Sequence, residues 1–447
     1  MALVRVRIRA DVNLKYLSKG TYVESVGDIM ADIKPVVMVP DDNARAYADS
    51  SAPAREDEHG PALHATEEMR RLATPWSVAI ARANLLRNCD ISEGVILDPA
   101  CGSATQLAAI CSALNRPGLG VELSGAAAPL AAINLERTAI WAEQNWVHSS
   151  RILWGDGTDA NSILQTFQQN VGVTSPIALL HIDPARPQDA QQHTLDEMQP
   201  RLGHLLSEWA PHLGTNPALI LDLSPRLSDA QRMEVEEIVS SIWNDLDMTW
   251  QWMTQGRGRI DRLSLWVGPV ADSQPNRLIR LSKSGEISIL TGVKSQPVVE
   301  SHVMELGDFL TIVDPSLVAS GLSESWRENA VKNEVSSAWL KLTGRRPSFI
   351  SSEAISNQKM VEGFVQISGE IVGFVSEVSF ESLNELAECA NGAGLTNLKL
   401  RCQIDPDIQP KLQSAIDQEM KSRNSDLTAC PGFLTESGDG YAICKQA

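Results

Sequence analysis

The sequence predicts an α/β fold: an open, mostly parallel sheet with crossover helices and an antiparallel terminal hairpin, preceded by a helical leader and followed by a smaller α+β domain. Three observations carry this. Four apolar runs that stop on a carboxylate recur at helix-length intervals, reaching Asp98, Glu122, Asp156 and Asp183. The first breaks at once into a loop of small residues, Pro99-Ala-Cys-Gly-Ser-Ala104. Two alternating runs, Met248–Met253 and Arg262–Val267, flank Gly256-Arg-Gly258 and read as a hairpin.

A chain of 447 residues is too long for one core and suggests two or three domains. Residues 1–88 form the leader, strand then helix and partly flexible. Met1-Ala-Leu-Val-Arg-Val-Arg-Ile-Arg9 alternates Arg with apolar residues as an exposed strand does, unlike a signal peptide. Asp41 to Pro61 is polar and leans toward disorder. Thr74-Pro75 supplies an N-cap and a first-turn residue for a helix from Trp76 to Leu86 that leads into the sheet.

Residues 89–272 form the sheet domain, with Val95–Asp98 as its first strand. Beyond Asp98, small residues let the backbone approach a nucleotide-like cofactor, and a helix starting near Thr105 aims its free N–H groups and positive dipole end at the loop. This nominates Asp98, Ala100, Cys101, Gly102, Ser103 and Thr105 as cofactor contacts. Glu122, 24 residues after Asp98 and followed by Leu123, can grip both ribose hydroxyls. Asp156, beside Gly157, can receive an adenine amino group. Asp183, followed by Pro184 and Arg186, faces the cofactor's reactive end. A lone Asp after a strand is ordinarily a cap or turn former. Four along the carboxyl edge of one parallel sheet lie where open α/β sheets bind ligands. The first turn lacks the G-x-G-x-x-G of a dinucleotide site. Cys101 lies ten residues before Cys111 with no second pair nearby, so it reads as a small loop or core residue and no metal site is expected.

Residues 273–447 begin with a strand-rich connector and continue as an α+β unit. Asp308–Leu317 reads as a strand running into a Pro-started helix, and Gly363–Val378 as two short strands around Gly369. Leu398–Ile404, a helix from Pro410 to Lys421, and a strand Gly440–Cys444 complete it.

A formal net charge of −18 disfavours nonspecific phosphate binding but is compatible with a local basic face, because salt screens distant charge within about 10 Å at 0.1 M. Seven cysteines without framework spacing, and no run of membrane-spanning length, fit a cytoplasmic protein with no membrane partner.

The loop Asp98-Pro-Ala-Cys-Gly-Ser-Ala-Thr105 resembles the D-P-x-C-G-S-G loop of class I S-adenosylmethionine (SAM)-dependent methyltransferases, with Ala104 where that pattern has its last Gly. With Arg82-Ala83, Asp183-Pro-Ala-Arg186, Leu223-Ser-Pro225, Val313–Leu322 and Thr396–Arg401, about three quarters of the chain resembles class I methyltransferases that carry a C-terminal THUMP-like domain. The resemblance implies a Rossmann-like class I methyltransferase sheet, SAM as cofactor, and RNA (tRNA or rRNA) as partner through residues 273–447.

Methyltransferases acting on exocyclic amines carry D/N-P-P and an aromatic after the fourth strand, so that a ring stacks on a flipped base. Here Ala185 and Arg186 replace the second Pro and the aromatic. Asp183 can still accept a proton, and Arg186 can offer a planar cation for stacking or pin the loop. Asp-Pro-Ala-Arg also resembles the fourth motif of uracil-5 RNA methyltransferases, whose nucleophilic cysteine follows the fifth strand. That position reads Leu221-Asp-Leu-Ser-Pro225, and Ser224 is too weak a nucleophile to replace a thiolate. The expectation is direct in-line transfer, with Asp183, Pro184 and Arg186 at the reacting end. The alternatives are a noncatalytic SAM-binding factor associated with RNA, or transfer to a protein or small molecule. Arg257, Arg259 and Arg262 in the hairpin read as either a phosphate contact or a solvated face, and the lack of an aromatic in the turn favours the solvated face.

Overall fold

A computed structural model describes residues 34–172, 175–184, 194–256, 258–300, 302–423, 430–438 and 440–446. The Arg-rich start, Arg186 and Arg257 lie outside the described residues. The chain divides into two compact units: one through Thr249 together with Leu263–Ser273, the other comprising Trp250–Arg262 and Gln274–Ala447.

The first unit runs β1 (Val36–Met38), α1 (Asp42–Ser51), β2 (Arg55–Asp57), β3 (Gly60–Leu63), α2 (Glu67–Leu72), α3 (Trp76–Leu85), β4 (Val95–Asp98), α4 (Thr105–Leu114) and β5 (Gly118–Glu122). It continues through α5 (Ala128–Trp141), β6 (Arg151–Trp154), α6 (Ala160–Val171), β7 (Ile177–Ile182), α7 (Leu202–Leu213), β8 (Leu219–Leu223) and α8 (Asp229–Ile242). Next, β9 (Met248–Thr254) belongs to the second unit from Trp250 on, whereas β10 (Arg262–Val267) belongs to the first from Leu263 on. The sheet order in this unit is β1-β6-β5-β4-β7-β8-β10. The pairs among β6, β5, β4, β7 and β8 are parallel, whereas β1 against β6 and β10 against β8 are antiparallel. The parallel strands are almost wholly buried, as strands covered by helices on both faces must be. Order departs in both directions from β4, so the crevice at the carboxyl ends of β4 and β7 is the topological switch point.

Both runs of the expected hairpin are strands, and Asp261 N–Met253 O (2.8 Å) and Thr254 Oγ1–Arg259 O (2.7 Å) bond across the turn between them. The hairpin does not end the sheet as expected, because Asn276–Leu281 pairs in parallel with β9 and extends it. Arg259 pairs with Asp261 at 3.0 Å on the exposed side.

Residues 41–61 correct the expectation of disorder. Asp41 caps α1 by accepting from Ala44 N, while Ala48 and Ala52 bury against Leu130 and Ile133 of α5, and Arg45 pairs with Glu136 at 2.6 Å. Small alanines, with the partly buried Tyr47, carry this contact, so the segment reads as polar although it is packed. The described part of the expected leader thus belongs to the first unit, β1 adding an edge strand. The lead-in helix also differs at its start: Pro75 occupies the cap without a side-chain bond, and the Thr74 hydroxyl is buried with no hydrogen-bond partner among the described residues.

The second unit contains β11 (Asn276–Leu281), parallel to β9 and antiparallel to β12 (Ile287–Gly292). There follow β13 (Phe309–Val313), α9 (Ser316–Ser320), α10 (Ser323–Ala330), β14 (Ser337–Lys341), β15 (Ser348–Ser351), α11 (Lys359–Glu362), β16 (Val365–Val375), α12 (Leu383–Gly392), β17 (Asn397–Leu400), α13 (Gln409–Arg423), β18 (Pro431–Ser437) and β19 (Gly440–Gln446). Its seven-stranded sheet has the order β14-β15-β13-β16-β19-β18-β17. Trp326, Trp339 and Phe349 pack with centroids 5.1–5.7 Å apart. The two strands expected around Gly369 are one: β16 runs unbroken, and a Cβ at Gly369 would come within 2.4 Å of the Lys445 carbonyl. That glycine serves close strand approach, not a turn.

Candidate functional site

Asp98 ends β4 and Glu122 ends β5; Asp156 follows β6 by two residues, and Asp183 follows β7 directly. Backbone bonds stitch the loops after the first three strands together. Cys101 N donates to Val121 O (2.9 Å), and Gly155 N to Glu122 O (3.2 Å). Trp154 Nε1 donates to Leu123 O (3.0 Å), and Trp209 Nε1 to Gly157 O (2.8 Å). Gly157 lies hard against Pro99, where a Cβ would come within 1.9 Å of the carbonyl oxygen. At Gly102, in the left-handed region at φ 54°, a Cβ would meet no heavy atom within 4 Å. The loop backbone is therefore exposed to open space at Gly102 and packed shut at Gly157.

Glu122 is partly buried, and its carboxylate accepts from Gly102 N (2.9 Å) and Ser124 N (2.7 Å). Burial raises its pKa, the two backbone bonds oppose that, and Asp98 adds to the rise. Leu123 beside it is exposed. Asp156 turns back to accept from Thr158 N and Oγ1. Ser103 Oγ and Thr105 Oγ1 share a bond of 2.9 Å, and the Ser103 carbonyl accepts from the buried Asn134 (2.9 Å), which also binds the His64 backbone. Ala104, the departure from the resembled loop, sits at φ 58°, a conformation that costs a non-glycine residue about 1–2 kcal/mol. Cys101 is buried, and burial followed by Asp98 and Glu122 raises its thiol well above the ordinary value, which disfavours a nucleophilic thiolate.

Asp98 turns inward. Its Oδ1 accepts from Ala100 N (3.1 Å), and its Oδ2 lies 2.8 Å from His181 Nδ1. The other ring nitrogen of His181 lies 3.2 Å from Asp222 Oδ2. A ring with a carboxylate at each nitrogen needs both protons, so His181 is an imidazolium. Burial opposes its charge, but Asp98 and Asp222 push it up to about 10. Burial also opposes ionisation of Asp222, and Arg82 followed by His181 overrides this, holding its carboxyl well below the usual range. Arg82 grips Asp222 through two nitrogens (2.6 and 2.8 Å) and donates to Gln106 Oε1 (2.6 Å). Gln106 Nε2 donates to Asp222 (2.9 Å) and to Asp183 Oδ2 (2.8 Å).

The structure thus links Asp98 and Asp183 through a buried cluster, while Glu122 bridges its own loop to the one after β4 and Asp156 holds its own loop. Pro184 is buried. His181, Asp222 and Gln106 escaped the sequence reading, although a signal existed. A histidine inside Ile177–Ile182 and an acid inside Leu219–Leu223, both strands buried on each face, require buried partners.

No family profile matches this chain, and no curated protein does. Among solved structures, a candidate methyltransferase from Porphyromonas gingivalis W83 is similar at TM-score 0.55 and 13% identity, over 86% of this chain and 83% of that one. A candidate class I SAM-dependent methyltransferase from Listeria monocytogenes aligns at TM-score 0.30 and 16% identity, over 45% of this chain and 61% of that one, and carries no weight at that score. At 13% identity the first likeness is one of fold: a parallel-rich, Rossmann-like α/β sheet shared with that protein.

Proposed function

We propose that this protein is a SAM-dependent methyltransferase that transfers the methyl group in line to RNA, without a covalent cysteine intermediate. The observation that carries the reading is the rim at the switch point. Carboxylates follow four consecutive parallel strands, and a small-residue loop opens its backbone at Gly102 under the N-terminus of α4. The donor set fits an adenosyl ligand, since Glu122 already binds the loop amide of Gly102 and can exchange backbone bonds for ribose hydroxyls. When bound, SAM supplies a methyl group on a cationic sulfur. Asp98, Ala100, Cys101, Gly102, Ser103 and Thr105 would shape the methionine side, Glu122 with Leu123 the ribose, and Asp156 with Gly157 the adenine. Asp183, with Pro184 and Arg186, would orient the acceptor or take its proton, and alignment supplies most of the rate. Residues 273–447, read as THUMP-like, would contact RNA, and the protein would act in the cytoplasm.

Calorimetry with SAM tests the cofactor assignment. Glu122→Ala should weaken binding about 100-fold, the size of a lost pair of charge-assisted bonds. Tritium transfer from labelled SAM into an extract of cells lacking the gene tests the acceptor. Label in RNA supports the proposal, and label confined to protein or small molecules replaces it with that acceptor. SAM binding with no transfer to any fraction favours the noncatalytic factor.

A further inference from the structure

We propose that Gln106 is the positioning residue for Asp183, a neutral adaptor that ties the carboxylate at the reacting edge to the buried Arg82–Asp222–His181–Asp98 cluster. This rests on the reading of Asp183 as the group that orients the methyl acceptor. Gln106 is the second residue of α4 and is buried. Its amide has one workable orientation. Oε1 receives a hydrogen from Arg82, which can only donate, and the NH2 gives one hydrogen each to Asp222 and Asp183, which as carboxylates can only accept. Flipping the amide would set its oxygen against two carboxylates and its NH2 against a guanidinium. Arg82 and Asp222 are themselves locked by the bidentate pair, and Asp222 and Asp98 clamp His181 from both sides. The carboxylate of Asp183, on a short stem directly after β7, is therefore tied through its Oδ2 to a cluster anchored on α3, β4, β7 and β8.

The test uses the full chain, with SAM as calorimetric ligand and total extract from cells lacking the gene as acceptor. Gln106→Leu should leave SAM affinity within about twofold and lower single-turnover transfer about 10- to 100-fold, the scale of a misplaced reacting group. Asp183→Asn should lower transfer at least as far, and the double variant should be no slower than Asp183→Asn alone, because one residue acts through the other. Gln106→Glu covers the case in which the leucine variant fails to fold. It keeps the acceptor for Arg82, and its carboxyl donates to Asp183 only when protonated, so its rate should climb toward wild type as pH falls. Losses that multiply in the double variant, unchanged transfer in Gln106→Leu, or no acid rescue in Gln106→Glu would overturn the positioning role while leaving the methyltransferase reading intact. A wild-type chain that transfers methyl to no fraction overturns both.

Discussion

Replacing Arg82 by Met asks whether the buried ion cluster holds the carboxyl edge of the first sheet together. The side chains of Arg82 and Asp222 are only 5% and 2% exposed. Met keeps much of the apolar stem and removes the charge and the planar fork. Two bonds to Asp222 and one to Gln106 disappear, at 2.8, 2.6 and 2.6 Å. Asp222 retains Gln106 and His181, so the loss falls at the low end of the range for breaking a buried pair, about 3 kcal/mol. In a unit of this size that lowers the melting midpoint by about 6–12 °C. Asp222→Leu strands two cations, Arg82 and His181, against Asp98 and should cost at least as much. Arg82→Met combined with Asp222→Leu leaves His181 with Asp98 and Gln106 with Asp183, so the double variant should melt above either single one. Scanning calorimetry at neutral pH measures all four corners of the cycle. A single variant within about 2 °C of wild type, or a double variant whose loss is the sum of the two, would mean that the cluster does not act as a unit.

The same cluster sets an alkaline limit. His181 is pushed from 6.5 to about 10, so the folded chain holds a proton that the unfolded chain releases. Its contribution is complete below about pH 6.5 and is lost as pH rises through about 10. Urea midpoints at about pH 7 and about pH 9.5 should fall in wild type, and the fall should shrink in His181→Asn; equal slopes would remove the imidazolium. Two glycines of the rim should behave oppositely to substitution. Gly102→Ala should cost only the backbone strain of about 1–2 kcal/mol while impairing SAM binding, whereas Gly157→Ala drives a methyl into the Pro99 carbonyl and should destabilise the unit by more. Thermal melts paired with SAM titrations separate them. Cys101 and Cys111, whose thiols burial pushes up, should resist Ellman's reagent until the chain unfolds, and fast native labelling would contradict their burial.

The region before the sheet shows where one-dimensional patterning runs out. The helix over residues 42–51 and its cap Ala52 are held mainly by Ala48 and Ala52, whose methyl groups are too small to mark a periodic face, and the contact they make is with α5, more than 70 residues on. Gly369 misleads in the opposite sense. A glycine within an alternating run signals either a turn or a close neighbour, and only the strand that packs across it, β19, decides which.

What the sequence by itself determined is local: apolar runs long enough for buried strands, the acid at each strand's end, and a small-residue loop before a helix. These are legible because backbone conformation and burial of a two-faced parallel strand leave a mark within a few residues. Only the tertiary structure decided how those acids divide their work. Glu122 and Asp156 bind the amides of loops next to them, whereas Asp98 and Asp183 join Arg82, Gln106, His181 and Asp222 from elements as far as 140 residues apart. A buried charge must find its partner in space, and the sequence records the need for one without recording where it sits.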